Sequence, residues 1–350
     1  MNRRAVFATE FWFGANGRSL AQGFREQGWA VDEVDVHHYA PRGRSLAARA
    51  AGRLLGPLQR REYNRAILQS AIDHDAAVML TVKGGEIDVA TLDALRARGV
   101  RTVNYYPDFE FEYAGFDRER LRGYDLVATT KSFHLEPLRT MIGADRVALV
   151  HHGFSPLAHR AVAVPDSDAG FERDIVYIGN ASPYKRDWLL PLFEAPALAH
   201  ARKFVIGHRW SDVAAGTAIA PHVLGRAMAG DFYSREIGVS KINIALHMGP
   251  ATASGWQDLV STRTFEIPAA GGFMLHIDNA EVRGLFDHGK EFDSFASPEQ
   301  LVERVVHYLA HPAERMAMAQ AGHTRAWRDH SMDARAAEIV ALIERGSAAA

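Results

Sequence analysis

The sequence predicts an α/β chain of two domains, each built on a parallel sheet. With 350 residues the chain exceeds what one hydrophobic core serves, so two domains of roughly 150 residues each are expected. Short apolar strands alternate with helical patterns in both halves, which implies parallel sheets covered on both faces. The stretch "GFSPLAHRAVAVPDSDAGFER", rich in Pro, Gly, Ser and Asp, parts the two halves. Residues 1–152 are therefore expected to form a first Rossmann-like domain, 153–173 a linker, 174–330 a second Rossmann-like domain, and 331–350 a C-terminal helix with a fraying tail.

In order, "RRAVFATEFWFGANGRSLAQGFREQGWAVDEVDV" reads as strand (Ala5–Thr9), Gly-containing loop, helix (Ser19–Gln27) closed by Gly28, and a second strand (Ala30–Val36) alternating at period two. Further strands are expected at Ala76–Val82, Arg101–Tyr106, Asp125–Thr130 and Val147–His152, with helices at Leu46–His74, Asp88–Arg98 and His134–Met141. Alternation restarts with "DIVYIGN" (Asp174–Asn180), a helix at Asp187–Phe193, "KFVIG" (Lys203–Gly207), "KINIALH" (Lys241–His247) and "GFMLHI" (Gly272–Ile277). Three helices close the chain, the first opened by Ser297 as cap with Pro298 behind it, the second by His311 before Pro312.

Composition excludes several classes of function. A net charge of -2 leaves no global field to gather nucleic acid or an anionic membrane, so any anion site must be local. The absence of cysteine removes disulfides, thiolate metal sites and a cysteine nucleophile. No export signal is visible, and apolar runs such as "EIPAAGGFML" fall short of the ~20 residues of a membrane span, so a cytoplasmic location is expected. The 17 histidines show no H-E-x-x-H or comparable ligand spacing, and no metal or cofactor is expected.

Ligand sites in open parallel sheets form at the carboxyl ends of strands, where helix N-termini offer free N–H groups. In the first domain, Gly14 and Asn16 follow the first strand in a loop that faces either a ligand or only its own turn. In the second, Gly179 and Asn180 turn the chain after its first strand, and Lys185 and Arg186 stand at the start of the next helix, where cations oppose the macrodipole unless an anion is present. The sharpest feature is "STRTFEIPAAGG". Helix-end amides, with Ser261 and Thr262 hydroxyls, suit a diphosphate, Arg263 can bind it bidentately, and Glu266 can accept from both ribose hydroxyls. A capping box on Thr262 or Thr264 is the plainer reading of the same letters. His247, at a strand end, is a further donor-site candidate. Asp108, after "NYYP", suits a general base or merely an Asx-turn. Tyr106 and Phe109, with Tyr105, Phe111 and Tyr113, offer either stacking faces for an acceptor sugar or core packing.

The segments "SKINIALH", "STRTFEIPAAGGFMLHIDNAEVRGLFDHGKEF" and "HYLAHPAERMAMAQAGHTRAWRDHSM", with "FGANGRSLAQGFREQGWAV", "YDLVATTKSFHLEPLRTMIGADRVALVHHGF" and "IVYIGNASPYKRDWLL" earlier, resemble the CgeB-like (spore-maturation-protein-like) branch of the GT-B glycosyltransferases over nearly the whole chain. The resemblance implies a GT-B fold with two sheets facing a central cleft. It also implies metal-independent transfer of a sugar from a nucleoside-diphosphate sugar, UDP- or GDP-linked, to a glycan, protein or small-molecule acceptor. In retaining members two acidic residues eight positions apart flank the donor. Glu266 matches the later one and Asp258, a shorter carboxylate followed by "LVS" where glycines are usual, the earlier. Lys185, Arg186 and Arg263 would meet the leaving diphosphate, and Asp108 would serve the acceptor hydroxyl. A nucleotide-sugar epimerase or hydrolase, and a non-catalytic saccharide-binding protein, are the alternatives this architecture leaves open.

Overall fold

The computed structural model describes residues 2–39, 46–111, 117–225, 228–251 and 254–348, with the backbone alone for 46–54, 347 and 348. The chain divides into two compact units, one of Met1–His152 together with Met332–Ala350, the other of Gly153–Ser331.

Unit 1 runs β1 (Arg4–Thr9), α1 (Asn16–Glu26), β2 (Ala30–Asp35), α2 (Val36–Tyr39), α3 (Leu46–Asp73), β3 (Val78–Val82), α4 (Val89–Arg96), β4 (Arg101–Tyr106), β5 (Leu126–Thr129), α5 (Leu135–Ile142) and β6 (Val147–Leu149). Its sheet is parallel throughout, in the order β2-β1-β3-β4-β5-β6. Strand order reverses between β1 and β3, because successive crossovers leave β1 on opposite sides, and a crevice opens at their carboxyl ends. Helix α1 begins three residues before the expected Ser19. Gly17 allows this: a Cβ there would lie 2.2 Å from Thr9 Cγ2, so only glycine lets the helix start so close to the strand.

Unit 2 runs β7 (Arg173–Ile178), α6 (Pro183–Glu194), β8 (Lys203–Ile206), α7 (Trp210–Val213), α8 (Gly230–Gly238), β9 (Ser240–Ala245), α9 (Thr262–Ala269), β10 (Met274–Ile277), α10 (Ala280–Leu285), β11 (Asp293–Phe295), α11 (Pro298–Ala310) and α12 (Pro312–Asp329). The sheet, again parallel, has the order β11-β10-β9-β7-β8, so its switch point lies between β7 and β9. Strand β11 is absent from the sequence reading because its three residues, Asp-Ser-Phe, carry a buried charge; Asp293 is held there by Tyr308 Oη at 2.8 Å and His288 Nε2 at 2.9 Å. Ser297 caps α11 as expected, accepting from Gln300 N–H at 3.2 Å.

The last helix, α13 (Met332–Ala348), belongs to unit 1. Its buried face of Met332, Ala336, Ile339 and Ile343 shares a core with Leu20, Phe24 and the inner face of β1. Phe24 stands edge-on to both Phe7 and Trp29, with ring centroids 5.0 and 5.5 Å apart. The helices touch at Gly23, where a Cβ would lie 2.6 Å from Ala336 Cβ and 3.0 Å from Asp333 Cα. Gly23→Ala should therefore push α13 off α1 and cost about 1–3 kcal/mol, offset in part by the better helix propensity of alanine. Urea unfolding of the variant gives the answer, and a midpoint equal to or above wild type would show that the approach is not tight.

Candidate functional site

At the switch point of unit 2, strand β7 ends at Ile178 and the chain turns through Gly179 and Asn180. The Gly179 carbonyl accepts from Trp210 Nε1 at 2.7 Å, and Gly179 N–H donates to Ile206 O at 2.8 Å. Gly207, with φ of +148°, passes so close that a Cβ on it would lie 2.1 Å from that carbonyl oxygen. Ser182 then caps α6, accepting from Lys185 N–H at 3.3 Å with Pro183 in the first turn. The helix thus opens four residues before the expected Asp187, which places Lys185 and Arg186 inside its first turn.

The two cations part company. Lys185 is 3 % exposed and folds back to donate to Asn180 O at 3.0 Å, its one hydrogen-bond partner among the described residues. An ammonium carries three donors, so two are unmet. Burial, reinforced by the charge of Arg263 and opposed by that of Asp258, pushes its pKa down to about 8. Arg186 is partly exposed and paired with Asp187 at 2.7 Å.

Arg263 lies against the same turn, since a Cβ on Gly179 would sit 3.0 Å from its Nη1. Its guanidinium carbon is 5.9 Å from the Tyr177 ring centroid, and its buried Nε has no partner among the described residues. Arg263 is carried by α9, whose cap is Ser261, where the plainer reading of the sequence offered Thr262 or Thr264. Ser261 and Thr264 form the capping box, with Ser261 N–H donating to Thr264 Oγ1 at 3.2 Å. The main-chain N–H groups of Thr262 and Arg263 have no acceptor among the described residues and remain available for an anion.

Glu266, one turn further, keeps 13 % of its side chain exposed and so is not sealed in the interior. Tyr233 Oη donates to its Oε2 at 2.8 Å. His159 faces Oε1 at 3.6 Å; because Ser155 N–H donates to His159 Nδ1 at 3.1 Å, a neutral His159 carries its proton on the Nε2 that looks at the carboxylate. Each carboxylate oxygen retains a lone pair for a ligand. Tyr233 and His159 escape sequence reading, lying on segments 33 and 107 residues away with no motif of their own. The one signal for Tyr233 was an apolar-polar helical pattern between Gly230 and Gly238.

Below the α9 cap lies a buried chain of hydrogen bonds. His276 Nδ1 donates to Ile277 O at 2.6 Å, leaving its Nε2 to accept. His247 Nε2 is 2.8 Å from that atom and must therefore carry the proton, so its Nδ1 accepts from Ser261 Oγ at 2.9 Å. Every tautomer follows from the carbonyl at the far end. His247 is thus 1 % exposed and supports the site from beneath instead of lining it.

The sequence candidates of unit 1 fare differently. Gly14 has φ of +91° and serves the turn after β1. Asn16 lines a cavity of about 470 Å³ at the β1/β3 switch point, together with Glu10, Trp12, Tyr63, Lys83 and Glu86. Both lie in unit 1, whereas Gly179, Asn180, Lys185 and the α9 residues lie in unit 2. Tyr106 is a correction: it is wholly buried with its hydroxyl on Glu110 O at 2.5 Å, and cannot stack on a ligand. Phe109 packs edge-on to Phe133, and its carbonyl is taken by His134 Nε2 at 3.0 Å, so packing accounts for this cluster. Tyr113 lies outside the described residues. Asp108 pairs with Lys83 Nζ at 2.9 Å.

The class defined by this architecture is the GT-B type, two Rossmann-like α/β units in one chain. A family described as "Glycosyl transferase-like" matches residues 185–341. No curated protein sequence matches. Among solved structures, sucrose-phosphate synthase from Thermosynechococcus elongatus is similar at 14 % identity with a TM-score of 0.63, covering 99 % of both chains. HepE from Anabaena in complex with UDP-glucose is similar at 11 % identity and 0.63, covering 98 % of this chain and 99 % of the other. A putative UDP-N-acetylglucosamine 2-epimerase from Listeria monocytogenes is similar at 10 % and 0.55, covering 100 % and 98 %. At these identities the likeness establishes the fold. Among the described residues no helix is long and apolar enough to cross a membrane.

Burial pushes the His276 imidazole down to about 4 from its ordinary 6.5. Between these values the unfolded chain binds a proton that the folded chain refuses, so stability is complete above pH 6.5 and falls on acidification towards pH 4, by on the order of 3 kcal/mol for this residue. His134, lowered to about 4 by burial, acts in the same window. Denaturation of wild type and His276→Gln between pH 7.5 and 5 isolates the share of His276: the variant should show the shallower fall, and equal slopes would mean that its charge is not the cause.

Proposed function

We propose that the chain is a glycosyltransferase that holds a nucleoside-diphosphate sugar in unit 2 and passes the sugar to a polyhydroxylated acceptor held in unit 1. One observation carries the reading. Lys185, buried, and Arg263, part-buried with its Nε buried, meet at the end of β7 with donors unmet among the described residues, beside free amides of a capped helix and one turn from a partly open carboxylate. A diphosphate supplies the missing acceptors, and the ribose hydroxyls reach Glu266. As the bond from the sugar's anomeric carbon to the diphosphate breaks, negative charge grows on the leaving oxygen, and Lys185, Arg263 and the α9 amides meet it without a divalent ion. The acceptor hydroxyl forms the new bond and gives up its proton. Asp108 is the base candidate and Arg186 an outer cation. The Glycosyl transferase-like match begins at Lys185 and covers α9.

The unit 1 cavity supports a sugar-like acceptor. Trp12 is 51 % exposed and its Nε1 is tied to Glu10 Oε2 at 3.1 Å, which presents an aromatic face beside a carboxylate; Glu86 supplies a second one. An apolar sugar face against an indole, with hydroxyls on carboxylates, suits that lining. The epimerase among the structural neighbours keeps a second reading in play, in which donor incubated without acceptor is epimerised at C2.

Titration calorimetry with UDP and GDP tests the donor site. One of them should bind, with affinity falling about 10- to 100-fold in Lys185→Met and Arg263→Met, and about tenfold in Glu266→Ala. No binding of either nucleotide, or variants that bind like wild type, would overturn the reading. Because the bound diphosphate favours the charged ammonium while the free protein loses that proton near pH 8, binding should take up a proton and weaken as pH rises above 8. In transfer assays Trp12→Ala should raise the acceptor KM and leave the nucleotide Kd unchanged; the reverse pattern would move the acceptor elsewhere.

A further inference from the structure

The turn between α11 and α12 brings together His307, His311 and Glu314, whose ligand atoms all lie within 4.8 Å of one another. We propose that these three residues form a surface site for a borderline transition-metal ion such as Zn²⁺, apart from the nucleotide site. The letters H-x₃-H-x₂-E match no H-E-x-x-H pattern, because Pro312 breaks the helix and Glu314 comes from the first turn of the next one.

Three features set these side chains apart from scattered surface histidines. His311 Nδ1 donates to His307 O at 2.7 Å, which fixes the tautomer and leaves the Nε2 lone pair directed outward, the arrangement that orients metal-binding imidazoles. His307 Nε2 and Glu314 Oε2 are already 2.9 Å apart, close to the roughly 3.4 Å between two ligand atoms on a tetrahedral zinc with bonds of ~2.1 Å. The two imidazoles lie nearly parallel with centroids 4.1 Å apart. A divalent ion that replaces the His307 Nε2 proton now shared with Glu314 would use a nitrogen of each imidazole and the carboxylate. Nitrogen and carboxylate donors together favour Zn²⁺, Cu²⁺ or Ni²⁺ over Mg²⁺ or Ca²⁺.

The place is also distinct. Helix α11 starts just after the carboxyl end of β11 and runs back for 13 residues, about 20 Å, to the opposite edge of the sheet. Tyr308 confirms the direction, its ring 4.5 Å from that of Phe273, the residue before β10 begins. An ion held there touches none of Lys185, Arg263 or Glu266. Three protein ligands leave a fourth position open to water or to a donor from another molecule.

The test is calorimetry or competition with a zinc-sensitive dye on the untagged full chain, using Zn²⁺ and, in parallel, Mg²⁺. One Zn²⁺ per chain should bind with submillimolar affinity and Mg²⁺ should not compete. Both His311→Ala and Glu314→Gln should weaken Zn²⁺ about tenfold or more, and His200→Ala, an exposed histidine outside the cluster, should leave it unchanged. Wild type without submillimolar zinc binding, or the triple variant His307→Ala, His311→Ala, Glu314→Gln binding like wild type, would overturn the proposal. UDP or GDP affinity measured on the same variants separates this site from the nucleotide reading, since it should not change.

Discussion

The Gly179 carbonyl, pinned by the Trp210 indole and overlain by Gly207, is the constraint from which the second unit's site is built. It sets where β7 stops and the chain turns, and that turn supplies the Asn180 carbonyl on which Lys185 folds back. It also leaves a bare backbone surface at Gly179 against which Arg263 rests. A side chain at either glycine would separate the two cations from the strand end. Close backbone approach at a switch point thus explains both the glycines and the charges beside them.

Bringing Lys185 and Arg263 together is unfavourable without an anion. Burial and then the charge of Arg263 make charging Lys185 costly, which its lowered pKa expresses; for Arg263 the loss of water is outweighed by the nearby Tyr177, Tyr233, Glu266 and Asp258 oxygens, which raise its pKa. Asp258 offsets part of the cost at Lys185. Arg186 and Asp187, by contrast, form an ordinary half-exposed pair worth little either way.

Strand positions were legible because parallel strands buried on both faces read as apolar runs, and from them came the order of elements and the strand-end loops. The residue types of α9 pointed to Ser261, Arg263 and Glu266 for the same reason, being polar letters where a helix N-terminus meets a strand end. What stayed hidden depends on three-dimensional neighbours. Lys185 and Arg186 are equivalent as letters, and only the rotation of α6, set by Ser182 and Pro183, turns one inward and the other towards Asp187. Tyr106 looked like a stacking face because period-two alternation does not say that both faces of a central strand are covered. Tyr233 reaches Glu266 from a helix between two glycines, and α13 returns to unit 1 across the whole second unit in sequence; neither leaves a local signature.

The histidine pair beneath α9 shows why such a support is buried and neutral. A helix N-terminus that is to receive an anion needs its cap held rigidly, yet no acceptor may draw on the amides meant for the ligand. Ser261 meets this by giving its own N–H to Thr264 and its hydroxyl proton to His247, so the cap is anchored through groups the ligand does not need. A carboxylate beneath Ser261 would anchor it equally well but would put a negative charge under a diphosphate. An imidazolium would add a third cation beside Lys185 and Arg263. Neutral imidazoles, their protons ordered from the Ile277 carbonyl outward, do neither, and burial that keeps His276 uncharged at neutral pH is what lets the pair serve as a fixed, uncharged floor.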